Sequence, residues 1–202
     1  YFILFKKKMF NLFKSKETEG YAALSSDDTH TPYTIKEKEK EIKTDKANSL
    51  TWRIFYPNSL CPLSRRDNFY VDSPHHGGVF IGYGIHHKKK FLNDLWFYHK
   101  GTQKWRQIHL KGDVMKPRTG TRAAIIDNSI ICFGGYSLGE YLSDLHVINV
   151  VTGVVSRLET TGPEPTPRTT PIVEQYNLKL FVWGGYSPQK HNELSVLDLA
   201  TL

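Results

Sequence analysis

Residues Pro117–Tyr136 (PRTGTRAAIIDNSIICFGGY) return fifty positions later as Pro167–Tyr186 (PRTTPIVEQYNLKLFVWGGY), and this internal echo constrains the fold more than any other feature of the chain. Each copy opens on Pro-Arg, and the first then runs extended through Ala123–Ile126, turns at Asp127-Asn128, and runs extended again through Ile130–Phe133 into two glycines. β-Branched and aromatic runs favour a pleated, half-buried surface, and Asp/Asn tolerate the tight turn between them, so each copy reads as a β-hairpin. The glycine pairs Gly134-Gly135 and Gly184-Gly185 mark backbone that takes positive φ or packs where a Cβ would collide.

The echo keeps its register beyond the hairpin. Asp144-Leu145 opens the alternating strand DLHVINV, and Asp94-Leu95 and Glu193-Leu194 open its counterparts DLWFYHK and ELSVLDL. Trp105 stands thirteen residues before Arg118, Trp52 thirteen before Arg65, and Val155 thirteen before Arg168. Gly112 and Gly162 fall in the Pro/Gly-rich connections KGDVMKPR and TGPEPTPR that link one unit to the next. In the first copy Arg65 and Arg66 both fit the arginine position, and Ile81-Gly82-Tyr83-Gly84 replaces the glycine pair. His75-His76-Gly77-Gly78 reads as a solvated turn rather than a metal site, since no third ligand is spaced with the histidines.

A fifty-residue period, a strand ending in Gly-Gly, a following Asp/Glu-Leu strand and a spaced tryptophan together resemble the kelch repeat of β-propellers. The resemblance implies an all-β fold of four-stranded antiparallel kelch-type blades. For the second repeat it implies strands at about Thr121–Ile126, Ile130–Gly134, Asp144–Val150 and Val154–Leu158, and for the third at about Pro171–Gln175 and Lys179–Gly184. The repeats divide at about 49–112, 113–162 and 163–202, the last with three strands and the Trp52 strand standing alone before the first. Three blades fall below the four to eight of propellers, so a partial propeller or a fragment of a longer product is expected, its ring incomplete, built of antiparallel pairs only and with exposed strand edges. Phe133, Trp183, Leu145 and Leu194 are expected to pack blade against blade.

Composition narrows the partners. Net charge is +7, but twenty acidic residues are interspersed with twenty-seven basic ones, so nucleic acid is not the expected partner. Two cysteines, Cys61 and Cys132, without C-x-x-C spacing point to a reducing, cytoplasmic setting. No apolar run is long enough for a transmembrane helix. Residues 1–48, with KEKEKEIKTDK at 36–46, read as a disordered charged tail, and the Phe- and Lys-rich residues 1–16 carry membrane-surface contact only as the lesser alternative.

Kelch propellers serve most often as protein-interaction scaffolds or adaptors, which the resemblance carries to this chain as the expected function. An actin-associated cytoskeletal role and a metal-dependent propeller enzyme are the alternatives. Neither an enzyme nor a cofactor is expected, because neither cysteine lies beside a tyrosine and paired histidines. The connections gathered on one face would carry Arg66, Arg118 and Arg168 from the Pro-Arg-type positions. Tyr83, His86 and Lys88 come from the first loop, Tyr136 from the second, and Tyr186 and His191 from the third. Such a face suits an acidic segment of a protein partner, since arginine pairs carboxylates bidentately and tyrosine anchors interfaces. The other reading, equally open for each arginine, is that it bonds loop carbonyls within its own blade.

Overall fold

The computed structural model describes Trp52, Ile54 and residues 60–200. The tail of residues 1–48 and its membrane-contact alternative lie outside these. Within the described residues, β1 (Phe69–Ser73), β2 (Gly78–Gly82), β3 (Leu95–His99) and β4 (Lys104–Ile108) form a four-stranded antiparallel sheet, blade 1. Blade 2 holds β6 (Arg122–Ile126), β7 (Ser129–Ser137), β8 (Glu140–Asn149) and β9 (Val154–Leu158). Blade 3 has three strands, β10 (Ile172–Tyr176), β11 (Lys179–Trp183) and β12 (Leu194–Asp198). The described residues form kelch-type blades and no closed ring, as the repeat implied.

The turns follow the sequence chemistry. The two-residue turns Asp127-Asn128 and Asn177-Leu178 close the first hairpins of blades 2 and 3, with φ of +48° at both Asp127 and Asn177. A third such turn, Leu138-Gly139 with φ of +47° and +97°, joins β7 to β8 with Ser137 opposite Glu140. That hairpin carries both strands past the ends expected for them, so the second-to-third-strand connection of blade 2 is a rigid ribbon rather than a loop.

Ile130–Gly135 of β7 is buried throughout, because a blade lies on each side of it. One core, between blades 1 and 2, gathers Phe69, Phe80, Leu95 and Phe97 against Ile130, Cys132, Ile148 and Val155, with Met115 from the connection. The other packs Ala124, Ile131, Phe133 and Leu145 of blade 2 against Val173, Leu180 and Val182 of blade 3.

Three expectations are corrected. Lys111-Gly112, β5, pairs parallel with Val154-Val155 of β9, so the sheets are not antiparallel throughout; the connection leaving blade 1 is held on the outer strand of blade 2 as it passes. Trp52 lies in no strand and is 94% exposed. Trp183 and Leu194 are 49% and 59% exposed instead of packed between blades, because none of the described residues covers the far side of blade 3. The His75-His76 turn is a single 3-10 turn, Pro74–His76, in which His76 joins Ser73 Oγ at 2.6 Å to Asn128 Oδ1 at 2.9 Å.

Candidate partner-binding face

The repeat's arginine is the place to begin, since it fixes everything near the loop face. Arg118 is 1% exposed. Its Nε donates to Lys116 O (3.1 Å), its Nη1 to Gly134 O (3.2 Å), and its fork grips both oxygens of Asp144 at 2.5 and 2.8 Å. Arg168, fully buried, repeats the pattern with Thr166 O at 2.8 Å, Gly184 O at 3.2 Å and the carboxylate of Glu193. In blade 1 the same bonds are made by Arg65, to Leu63 O (3.0 Å), Tyr83 O (3.1 Å) and Asp94 (2.7 and 2.9 Å). The first copy's register is thereby settled on Arg65, and Arg66 is an exposed neighbour paired with Asp67 at 3.0 Å.

Backbone at the same residues ties each blade to the next. Gly84 N–H donates to Arg118 O and Arg118 N–H to Leu92 O, at 2.9 and 3.2 Å; Gly135 N–H donates to Arg168 O and Arg168 N–H to Leu142 O, at 2.9 and 3.0 Å. Glycine is needed where these chains meet: a Cβ on Gly134, at φ +65°, would lie 2.7 Å from Arg168 O, and one on Gly135 2.9 Å from Thr119 O. Tyr83 takes the place of Gly134 in blade 1 at φ +61°, and its ring stacks on Phe69 with centroids 6.0 Å apart.

Burial therefore removes four expected binding residues. Arg118 and Arg168 are spent on their own blades, and Tyr83 is fully buried. The His191 side chain is 1% exposed between Thr166 Oγ1 at 3.2 Å and Ser187 Oγ at 2.7 Å. The carboxylate partners register the same chemistry. Burial alone would raise Asp144, but the Arg118 hydrogen bonds and charge outweigh it and hold the carboxyl below its ordinary range; Asp94 answers to Arg65 and Trp96 in the same way. Burial pushes the Cys132 thiol up, which makes it an inert core residue.

The remaining expected residues stay accessible, and two aromatics missed in the sequence connect them. Phe91, Tyr136, Tyr141 and Tyr186 form a row of ring neighbours across all three blades, with centroids 6.3, 5.1 and 6.0 Å apart in turn. Tyr136 and Tyr186 are repeat equivalents, bridged to Thr119 and Thr169 at the mouths of their inner strands. Tyr141 faces Tyr136 across the β7–β8 hairpin, a pairing signalled by the Leu-Gly turn between them but hidden while that segment was read as a loop. Tyr186 is 64% exposed, and Tyr136, Tyr141 and Phe91 are half-buried. Partial desolvation, with the Tyr186 and Tyr136 phenols beside it, raises the Tyr141 hydroxyl above its ordinary value.

Immediately before Phe91, the tight loop His86–Lys90 presents three exposed lysines and exposed His87, closed by His86 N–H to Lys90 O at 2.9 Å. Loss of water and then the charges of His87, Lys88 and Lys90 lower the His86 pKa, so this corner is positive through its lysines. Lys116 and Glu140 pair across the same face. No group of three or more His, Cys, Asp or Glu side chains that could hold a metal occurs among the described residues.

Over residues 36–202 the sequence matches the KLHDC2/KLHL20/DRC7 Kelch-repeats domain. The chain belongs to the kelch-repeat family. It is similar to acyl-CoA-binding domain-containing protein 4 of Arabidopsis thaliana, 28% identical over 167 residues, which is 80% of this chain and 24% of that protein. It is also similar to Kelch domain-containing protein 2 of Bos taurus, 28% over 137 residues (62% of this chain, 34% of the relative). With Kelch domain-containing protein 1 of Homo sapiens it shares 27% over 107 residues (50% and 26%). The kelch chain spans at most about a third of the length of these relatives. Kelch-repeat domains are generally protein-interaction scaffolds, typically without enzymatic activity.

Proposed function

We propose that this kelch chain binds a segment of a partner protein along the aromatic row of its loop face. The observation that carries the reading is the continuity of Phe91, Tyr136, Tyr141 and Tyr186 across three blades with the lysine loop at one end. Tyrosine offers large rigid contact area at little entropic cost and is enriched at interface hot spots. Lys88, Lys89, Lys90 and the exposed Arg66 favour an acidic segment over a basic one and speed its encounter.

The test is selection of peptides from a random displayed library against the whole chain. Enriched peptides rich in Asp and Glu are expected, with affinity lowered about tenfold or more in a Tyr141→Ala, Tyr186→Ala variant whose thermal midpoint stays put. Salt should weaken binding further through the lysines. Peptides indifferent to both tyrosines and to Lys88–Lys90 would place binding elsewhere on the molecule.

A further inference from the structure

The connection between blades 2 and 3 carries a short motif that neither the repeat nor the aromatic row uses, Glu164-Pro165-Thr166-Pro167. Pro163, Pro165 and Pro167 fix φ and offer no N–H, so the chain here is extended, and residues 163–167 make no backbone–backbone hydrogen bond with any described residue. A protein kinase receives its substrate as an extended run of residues, and a proline-directed kinase requires the proline that follows Thr166. Exposure separates this threonine from the other Ser/Thr-Pro pairs among the described residues. Ser73 is 3% exposed and bonded to His76, Ser187 is 8% exposed and bonded to His191, and Thr170 is half-buried at φ +52°, whereas Thr166 is exposed. Lys116, fifty residues earlier at the same place in the repeat, is exposed too with blade 3 following it, so the openness of the position belongs to its place in the blade.

The threonine hydroxyl also lies against two buried basic groups. Arg168 Nη2 donates to Thr166 Oγ1 at 2.8 Å, and His191 Nδ1 stands 3.2 Å from the same oxygen, its ring held from the other side by Ser187 Oγ at 2.7 Å. Arg168 is fully buried and the His191 side chain is 1% exposed, so little water screens an anion placed at that oxygen. The arginine fork is less fully engaged here than in blade 2. Asp144 takes Nη1 and Nη2 of Arg118 with its two oxygens at 2.5 and 2.8 Å, whereas Glu193 reaches Arg168 through one oxygen, on the same Nη2 that holds Thr166. Thr166 and Glu193 thus share one donor.

We infer that Thr166 is a phosphorylation site for a proline-directed protein kinase, and that Arg168 and His191 receive its phosphate. The kinase brings ATP and magnesium: Thr166 Oγ1 bonds to the γ-phosphorus as the bond to the ADP oxygen breaks, and the hydroxyl proton passes to the kinase's carboxylate base. The product carries a charge of about −1.5 to −2 against one on Glu193, so the phosphate takes Nη2 of Arg168 and repulsion turns the Glu193 carboxylate out to water. The loop between Tyr186 and Glu193, which His191 and Ser187 hold in place, is then organised around the phosphate.

The whole folded chain, incubated with a purified proline-directed kinase and magnesium-ATP, provides the test. Mass spectrometry should place phosphate on Thr166 and on none of Ser73, Thr170 and Ser187. Phosphorus NMR should then give the Thr166 phosphate a second pKa about one unit below that of a phosphopeptide of residues 160–170, because both basic groups favour the dianion, and the gap should narrow in His191→Gln. Glu193, held low by Arg168 in the unmodified chain, should titrate at higher pH once Thr166 is phosphorylated. A folded chain left unmodified at Thr166, or modified on the buried sites in preference, overturns the site. A phosphate that titrates as in the free peptide, or a Glu193 that titrates unchanged, overturns the receptor. If His191→Gln fails to fold, the comparison of the unsubstituted chain with the peptide and the Glu193 titration still decide.

Discussion

Replacing Arg118 by alanine should unfold this protein more readily without touching its accessible surface. The side chain is 1% exposed and holds two carbonyls and both oxygens of Asp144, whose own side chain is 19% exposed. Its removal strands a largely desolvated carboxylate and two carbonyls, and breaking one side of such a pair costs about 3–5 kcal/mol. Because Asp144 keeps some contact with water, the lower end applies. For a domain of this size about 3 kcal/mol lowers the melting midpoint by roughly 6–12 °C. Thermal and urea unfolding followed by circular dichroism measure it. Adding Asp144→Ala to Arg118→Ala should recover part of the loss, because no orphaned charge is left behind. An Arg118→Ala variant that melts normally and loses partner peptides would refute this account and restore the arginine to a binding role.

Two further outcomes follow from the same geometry. Asp94, Asp144 and Glu193 have pKa values below the ordinary 3.8 and 4.5, so their contribution is complete above about pH 5 and is lost as pH falls through those values; urea midpoints should drop steeply there, and less so in Arg118→Ala. Tyr83 buries its ring but leaves its hydroxyl without a partner among the described residues, so Tyr83→Phe should keep stability within about 1 kcal/mol or raise it, while Tyr83→Ala loses about 3–5 kcal/mol in the same melts.

The inner hairpin of blade 2 was legible because its signals are local: Ile130–Phe133 follows from an apolar run ending in two glycines. The outer strand Val154–Leu158 came only with the kelch resemblance. The β7–β8 hairpin was not legible, since Leu138-Gly139 gives a weaker turn signal than Asn-Gly, and its consequence, the Tyr136–Tyr141 pair, went with it. The side on which a charged residue lies was not legible either. Arg118, Arg168 and His191 share residue types with exposed binding groups, and only the carboxylate twenty-five or twenty-six positions away, brought back by the third strand, turns the arginines inward. The choice between Arg65 and Arg66 needed the same partner, Asp94.

One arginine per blade explains why the motif spans so many residues. The guanidinium needs a carbonyl from the glycine turn and a carboxylate at the start of the third strand, and the arginine's own backbone must reach the preceding blade, so Pro-Arg, Gly-Gly and Asp/Glu-Leu recur together. Of the three arginines that read as an acidic-ligand surface, Arg118 and Arg168 are thereby neutralised inside the blades by Asp144 and Glu193, as Arg65 is by Asp94, while Arg66 stays exposed beside Asp67. The positive charge left on the first-loop corner of this face is carried by Lys88, Lys89 and Lys90, beyond one end of the aromatic row. A partner would accordingly be oriented by charge at the blade 1 end and held by ring contacts along the rest, which is why substitutions of the lysines should alter salt dependence and association rate, and substitutions of the tyrosines the dissociation rate.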